Sequence, residues 1–286
     1  MAAKKSAKRT AKPIAKKAAA KKAAAENIAK KAPTAETVSK KLASISGDDS
    51  FKGIRPAALT YFRGLKKNNR KEWFEEHRAD YEKEVKQPLL ALIEDVDALL
   101  ARFIPEIIGS PKKSMFRIYR DVRFSKDKTP YKTHAAAWFY HRDGGSTVGQ
   151  EAAHGGAGFY FHFSPEETHI GGGIWMPPRP VLNRIRGLIA ENPEGFEDII
   201  NAPAFKRKFG ELESESMLSR IPRGFDPNHP AARWLRFQSF TVGHPLTNEQ
   251  LMSPTLPEIL AQSYETMTPF VRWLNSASGL KPSSLR

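Results

Sequence analysis

The sequence predicts an α+β domain, an antiparallel sheet of about five strands flanked by N- and C-terminal helices. Three observations predict it. Four consecutive β-like segments lie between Ser114 and Trp175, separated by turn residues rich in Gly, Pro, Asp and Ser. Segments of helical periodicity lie on either side, between residues 57 and 102 and from residue 179 onward. The connections between the strands are too short for crossover helices, so neighbouring strands run antiparallel.

The chain has 286 residues, 40% of them hydrophobic, and every aromatic residue follows position 50. A sizeable core is therefore expected in residues 51–278, with 47–50 as a linker and 279–286 fraying. No cysteine is present, which excludes disulfides and thiolate metal sites. No apolar run approaches the roughly 20 residues that span a bilayer, so no membrane partner is expected. A cytoplasmic location follows as an expectation, with nucleoid association through the N-terminus.

The net charge of +15 is unevenly placed. Residues 1–46 hold 12 Lys and 1 Arg against 2 Glu, a net of +11, and the rest of the chain carries only +4. This Lys/Ala-rich segment has almost no large apolar side chains to offset its ordering entropy, so it reads as a disordered tail. It resembles the tails of linker-histone-like proteins. Lys4, Lys5, Lys8, Arg9, Lys16, Lys17, Lys21 and Lys22 are its candidate contacts to nucleic-acid phosphates, without base specificity. The bland alternative is a solubilising extension that attracts any polyanion.

The first helix is expected over about Ala57 to Lys66, with Leu59, Phe62 and Leu65 on one side. Asn69 and Glu72 have capping-box spacing, so a second helix is expected from about Arg70 to Arg102, kinked or divided at Pro88. His77 lies on its apolar stripe with Trp73 and Tyr81 and reads as a core or boundary histidine. Arg70, Lys71 and Arg78 read as a solvated face.

Strands are expected at about Ser114–Phe124, Thr133–His141, Gly158–Phe163 and His169–Trp175, with a fifth at Phe237–Val242. The glycines of residues 144–156 lack the spacing of a phosphate loop. Gly171, Gly172 and Gly173 inside a strand point to close approach of another group. Helices follow at Arg179–Glu191, with Arg184 and Arg186 facing away, and at Pro193–Asn201. Residues 204–209 read as a basic-aromatic turn. Thr247 with Gln250 opens the last helical region, in which Phe270, Trp273 and Leu274 pack inward.

The richest segment runs from Phe116 to Lys132. Period two puts Phe116, Ile118, Val122 and Phe124 on one face, and Arg117, Tyr119, Asp121, Arg123 and Ser125 on the other. Arg120 breaks the apolar row and must be paired, because a bare guanidinium is costly to bury. Arg117, Arg123, Lys126, Lys128, Tyr131 and Lys132 are candidate ligands for a phosphate or carboxylate, since guanidinium groups bind such anions bidentately. Asp121, Asp127 and His162 are the candidate acid/base groups. The structural alternative is an internal network joining Asp121 to Arg120 or Arg123 and using Asp127 to pin the turn. Tyr119, Tyr131, Trp138 and Tyr140 interleave with cations as stacking platforms do. His154, His162 and His169 lie close in sequence, and paired strands bring His162 to His169. No His-Glu-x-x-His element accompanies them, so no metal and no cofactor are expected.

Phe51-Lys52-Gly53, Asn68-Asn69-Arg70, Trp73-Phe74, the Arg117–Lys132 segment, Gly173-Ile174-Trp175-Met176-Pro177 and His229-Pro230 occur in order. Together they resemble the bacterial and fungal family called domain of unknown function 2461, over roughly residues 50–275. The resemblance implies one domain and gives weight to the central motif. It implies no reaction.

Two functions stay open. One is a nucleic-acid-associated protein whose Arg-rich cleft holds a small phosphorylated ligand. The other is an enzyme acting on an anionic, phosphorylated substrate, with Arg117, Arg123, Asp121 and Lys132 converging on His162 or Tyr160. If the tail binds DNA, filter binding will show an affinity that falls steeply with salt and vanishes on deletion of residues 1–46; a salt-independent affinity would contradict counterion release.

Overall fold

Hairpin connections order the sheet as the chain runs. In the computed structural model, which describes residues 50–123, 125–148 and 155–283, the sheet is β1-β2-β3-β4-β5 with every neighbour antiparallel. The strands are β1 (Ile107–Ile108), β2 (Ala135–His141), β3 (Gly158–Phe163), β4 (Thr168–Ile174) and β5 (Phe240–Leu246). Helices α1 (Pro56–Lys67), α2 (Lys71–Glu76) and α3 (Gln87–Leu100) precede most of the sheet. Helices α4 (Arg179–Glu191), α5 (Pro193–Asn201), α6 (Pro203–Phe209) and α7 (Ala232–Leu235) separate β4 from β5, and α8 (Asn248–Met252) and α9 (Leu256–Ala277) close the domain. The α+β architecture is the one the sequence predicts. The tail lysines and Arg9, with Phe124 and His154, lie outside the described residues. No helix among those described is long and apolar enough to cross a membrane.

Alternation on β3 sets the two faces of the sheet. Phe159, Phe161 and Phe163 are fully buried. Phe163 meets Phe62 of α1 edge-on at 6.0 Å, and Phe159 stacks on Tyr264 of α9 at 4.4 Å. Tyr160 and His162 occupy the opposite row and stay partly exposed. On β4, a Cβ at Gly172 would stand 2.5 Å from Met267 Sδ, so the missing side chain is what lets α9 lie close against the sheet.

Several elements depart from expectation. Residues 114–123, the described part of the expected first strand, do not form a regular strand. They pair with β2 and with residues 130–132 through isolated bridges at Met115–Ala137 and Tyr119–Tyr131, and the edge strand proper is the short β1. The expected long second helix is divided at His77 rather than at Pro88: α2 ends at Glu76, and helical backbone then runs from Arg78 through a π-helical turn at Tyr81–Lys86 into α3, with Pro88 just after that turn. Asn69 does not cap α2, whose N-cap is Arg70. Its side chain instead donates through Nδ2 to Tyr131 O at 2.9 Å and accepts from Tyr131 N at 3.0 Å.

Residues 203–209 are a helix rather than a turn, because Phe205 and Phe209 are both buried at helical spacing. The fifth strand is shifted to Phe240–Leu246. Arg186 does not face away; it is 5% exposed and donates to Phe237 O at 2.8 Å. Residues 280–283, expected to fray, fold back: Leu280 is buried, His141 Nε2 contacts Lys281 O at 3.1 Å, and Ser283 N donates to Glu106 at 3.3 Å. The Thr247–Gln250 capping box is present as predicted.

Asn69 replaces two strand-like hydrogen bonds to the backbone of buried Tyr131. Asn69→Ala should therefore lower stability by about 2 kcal/mol, read as a reduced urea midpoint with unchanged slope. An unchanged midpoint would mean that solvent replaces the clamp without cost.

Candidate functional site

The Arg117–Lys132 segment folds as an irregular hairpin. Arg120 N donates to Pro130 O at 2.9 Å and Lys132 N to Ile118 O at 2.8 Å. The Arg120 guanidinium pairs with Asp127 and donates to Thr129 Oγ1 at 2.6 Å. Asp127 also accepts from Thr129 N at 2.9 Å, so it pins the turn. Arg123 pairs with Asp121 at 2.6 Å. Lys128 Nζ donates to Val122 O at 2.9 Å, and Lys126 is exposed.

These contacts set the aspartate chemistry. The Arg123 guanidinium holds Asp121 down at about 2, and the Thr129 amide with Arg120 holds Asp127 at about 2. Both carboxylates are exposed, ionised and satisfied, which makes them poor proton acceptors. In geometry they are partners of the hairpin arginines. Tyr131, a candidate ligand, is 3% exposed and stacks on Phe74 at 4.3 Å, so it is a core anchor. Burial also removes Tyr131, Trp138 and Tyr140 as stacking platforms; of the four aromatics only Tyr119 is exposed, at 46%.

Arg117 and Lys132 are left. Neither makes a side-chain hydrogen bond or ion pair among the described residues. Arg117 is exposed. Lys132 is half-buried, with Nζ 5.3 Å from the centre of the Phe116 ring, and Phe116 meets Tyr160 edge-on at 6.2 Å. Burial first, and the Arg117 charge second, push the Lys132 amine below its ordinary range.

Beside them the polar row of the sheet gathers imidazoles. Register places His162 directly opposite His169. Their rings stack at 5.7 Å, and His134 approaches His162 at 5.8 Å. Tyr160 lies 5.4 Å from His162. A Cβ at Gly243 would fall 2.1 Å from His169 Nε2, so a glycine on β5 makes room for that ring. His162 Nε2 faces Glu167 at 3.2 Å, and its Nδ1 is buried without a partner. His169 Nε2 stands 3.8 Å from Glu213.

Desolvation dominates here. It lowers His134 to about 4, with His162 adding to the effect, and it lowers His162, with His169 adding to it. It raises Tyr160 to about 12. His134 and His162 are therefore neutral at pH 7, each a donor and an acceptor. No group of three or more His, Asp or Glu side chains among the described residues is arranged to hold a metal ion. Concavities of about 620 Å³ lie elsewhere, one between residues 50–55 and α3, another around Arg220 and Arg236.

Sequence reasoning singled out His162, Arg117 and Lys132 and foresaw the His162–His169 contact. It missed His134, which shares alternation with Lys132 on the approach to β2 and was findable from that register. It also missed Phe116 as the ring beneath the lysine, and Glu213, which arrives from a distant loop and leaves no local signal.

A neutral buried histidine makes stability depend on pH. His134 titrates near 6.5 when unfolded and near 4 when folded, so the unfolded chain binds more protons between those values. Its contribution is complete above about pH 6.5 and is lost as pH falls towards 4. Allowing for partial exposure, the loss is about 2 kcal/mol. Urea midpoints at pH 7 and pH 4.5 should diverge less for His134→Gln than for the wild type. Equal divergence would show that His134 is solvated in the folded state.

Neither a curated protein nor a solved structure matches the chain. A family model does, that of a conserved hypothetical protein (DUF2461), over residues 57–273, which span the described helices and the whole sheet. The chain belongs to the DUF2461 family.

Proposed function

We propose that the protein binds a small phosphate-bearing ligand on the polar face of the sheet, where Arg117 and Lys132 supply the charge. One observation carries this reading: neither Arg117 nor Lys132 makes a side-chain hydrogen bond or ion pair among the described residues, whereas Arg120 and Arg123 in the same hairpin are both paired. Half-burying the Lys132 ammonium without an ion pair costs free energy that a bound dianion would offset. A guanidinium grips phosphate oxygens bidentately and an ammonium adds a point charge. Neutral His134 and His162 with Tyr160 would complete the shell as hydrogen-bond partners rather than charges. In the same reading the Lys/Ala tail, with its net +11, adds non-specific nucleic-acid affinity and with it a cytoplasmic, nucleoid-associated location.

An enzymatic reading has one observation in its favour. The buried, unpartnered Nδ1 of His162 belongs to a neutral imidazole 5.4 Å from Tyr160, an arrangement suited to moving a proton on a bound anion. The satisfied state of Asp121 and Asp127 argues against their serving as that base.

Thermal melting against pyrophosphate and nucleoside phosphates tests the binding reading. A ligand at about 100 times its Kd should raise Tm by about 5–10 °C. In Arg117→Gln/Lys132→Gln the rise should shrink markedly while the unliganded Tm stays within a few degrees. An equal rise in the variant, or none in either protein, would overturn it.

A further inference from the structure

A second basic site lies far along the chain from the first. The loop from Ser219 to Pro230, with α7, walls a concavity of about 620 Å³ lined by Ser219, Arg220, Ile221, Pro227, Arg233 and Arg236, among others, with no acidic residue in its lining. The backbone fixes it: Leu218 N donates to Arg236 O at 2.8 Å, and Gln238 Nε2 donates to Ser216 O at 2.6 Å. Three guanidinium groups therefore share one groove.

Their partners are inadequate. Arg236 is half-buried, and its one side-chain acceptor among the described residues is the thioether of Met217, at 3.8 Å. A thioether is a weak acceptor and carries no charge. Arg220 makes no hydrogen bond or ion pair among the described residues. Arg233 stacks on Trp234 at 4.5 Å and shares Glu211 with Lys206, so a single exposed carboxylate serves two cations. Asp226 is turned to its own loop, where it accepts from Asn228 N at 2.8 Å.

A fourth guanidinium is tied to the residue next to the groove-lining Arg236. Arg186 of α4 is 95% buried by its 5% exposure, and its hydrogen bond goes to the carbonyl of Phe237, the residue after Arg236. Its Nε has no partner. Burial without a carboxylate lowers its ordinary affinity for a proton, the mark of an uncompensated charge. Two other partly buried guanidiniums have an acid, Arg272 on Glu106 and Arg120 on Asp127. Arg186 has none among the described residues, and a buried charge raises the positive potential of a nearby concavity more than an exposed one.

We propose that the Arg220–Arg233–Arg236 groove is a second anion site, and that its occupant is a phosphate group. Two guanidiniums without a carboxylate, with a third already oriented by stacking, match the several oxygens of a phosphate better than the two of a single carboxylate. Such a group comes from a small phosphorylated molecule or from a nucleic-acid backbone. The site shares no residue with the Arg117–Lys132 face and stands whether or not that face binds anything.

Arginine-selective labelling with phenylglyoxal, read by peptide mass spectrometry on the full chain, tests both sites separately. Pyrophosphate at about ten times its Kd should slow labelling of Arg220 and Arg236 about tenfold, in line with simple occupancy. Protection by pyrophosphate identifies the small-molecule source. Protection by a single-stranded oligonucleotide alone identifies the backbone. Unchanged rates at Arg220 and Arg236 with both probes overturn the proposal, even if Arg117 is protected; the converse pattern overturns the proposed function and leaves this site standing. In Arg220→Gln, with its far-ultraviolet spectrum unchanged, protection of Arg236 by the same probe should weaken at least about tenfold. Full protection of Arg236 in that variant also overturns it.

Discussion

The contact on which the site depends is the pair of hydrogen bonds between the Asn69 side chain and the backbone of Tyr131. An amide side chain presents one donor and one acceptor in the spacing of a peptide, so Asn69 acts as a one-residue strand. It ties the end of the Arg-rich hairpin to the loop between α1 and α2. The Tyr131–Phe74 stack finishes the attachment by burying the ring. With Tyr131 fixed, the next residue, Lys132, is delivered to the polar row of the sheet, and His134 follows one alternation later. An irregular, highly charged segment would otherwise have no reason to keep a single conformation.

In the Arg-rich hairpin much of the charge is consumed where it is made. The hairpin carries both signs and uses Asp121 and Asp127 to neutralise Arg123 and Arg120 locally, so its basic appearance overstates its free charge. Surface pairs of this kind add little stability, typically under about 1 kcal/mol each, but they hold a loop in shape. Two groups of cations without an ion pair carry the argument: Lys132 and Arg117 beside the imidazoles, and Arg186 and Arg236, which meet a carbonyl and a thioether. Both are basic without reference to the tail, which holds most of the net charge.

The sheet was legible because its strands alternate strongly: Phe159, Phe161 and Phe163 leave one reading of β3, and the helices at Arg179–Glu191 and Pro193–Asn201 announce themselves through proline starts and apolar spacing. Legibility failed where a side chain chose a distant partner over a local one. Asn69 had a capping position available and took Tyr131 instead, 62 residues away. Arg186 sat on the polar side of a helical wheel yet was drawn under α7 by the Phe237 carbonyl. The 114–124 segment had strand alternation, but the density of charge in it favoured a tight hairpin over a flat edge. In the site the same limit applies: His162 and His169 are neighbours across a short turn and were foreseeable, whereas Glu213 and Gly243 belong to elements whose placement only the complete fold determines.

The position of α9 has a consequence for how the chain reaches its structure. This helix supplies Tyr264, Met267 and Phe270, against which the apolar row of β3 and the glycines of β4 are fitted, and Arg272, which pairs with Glu106 across 166 residues. Contacts so far apart in sequence form late, because a long loop must close before they reward it. During synthesis the β1–β4 meander leaves the ribosome well before α9 does, and at about 5–20 residues per second the end of its phenylalanine row that α9 covers, Phe159 under Tyr264, is uncovered for several seconds. The domain therefore passes through a nascent stage that exposes sticky aromatic surface, and its yield in a cell depends on shielding during those seconds as much as on the stability of the finished fold.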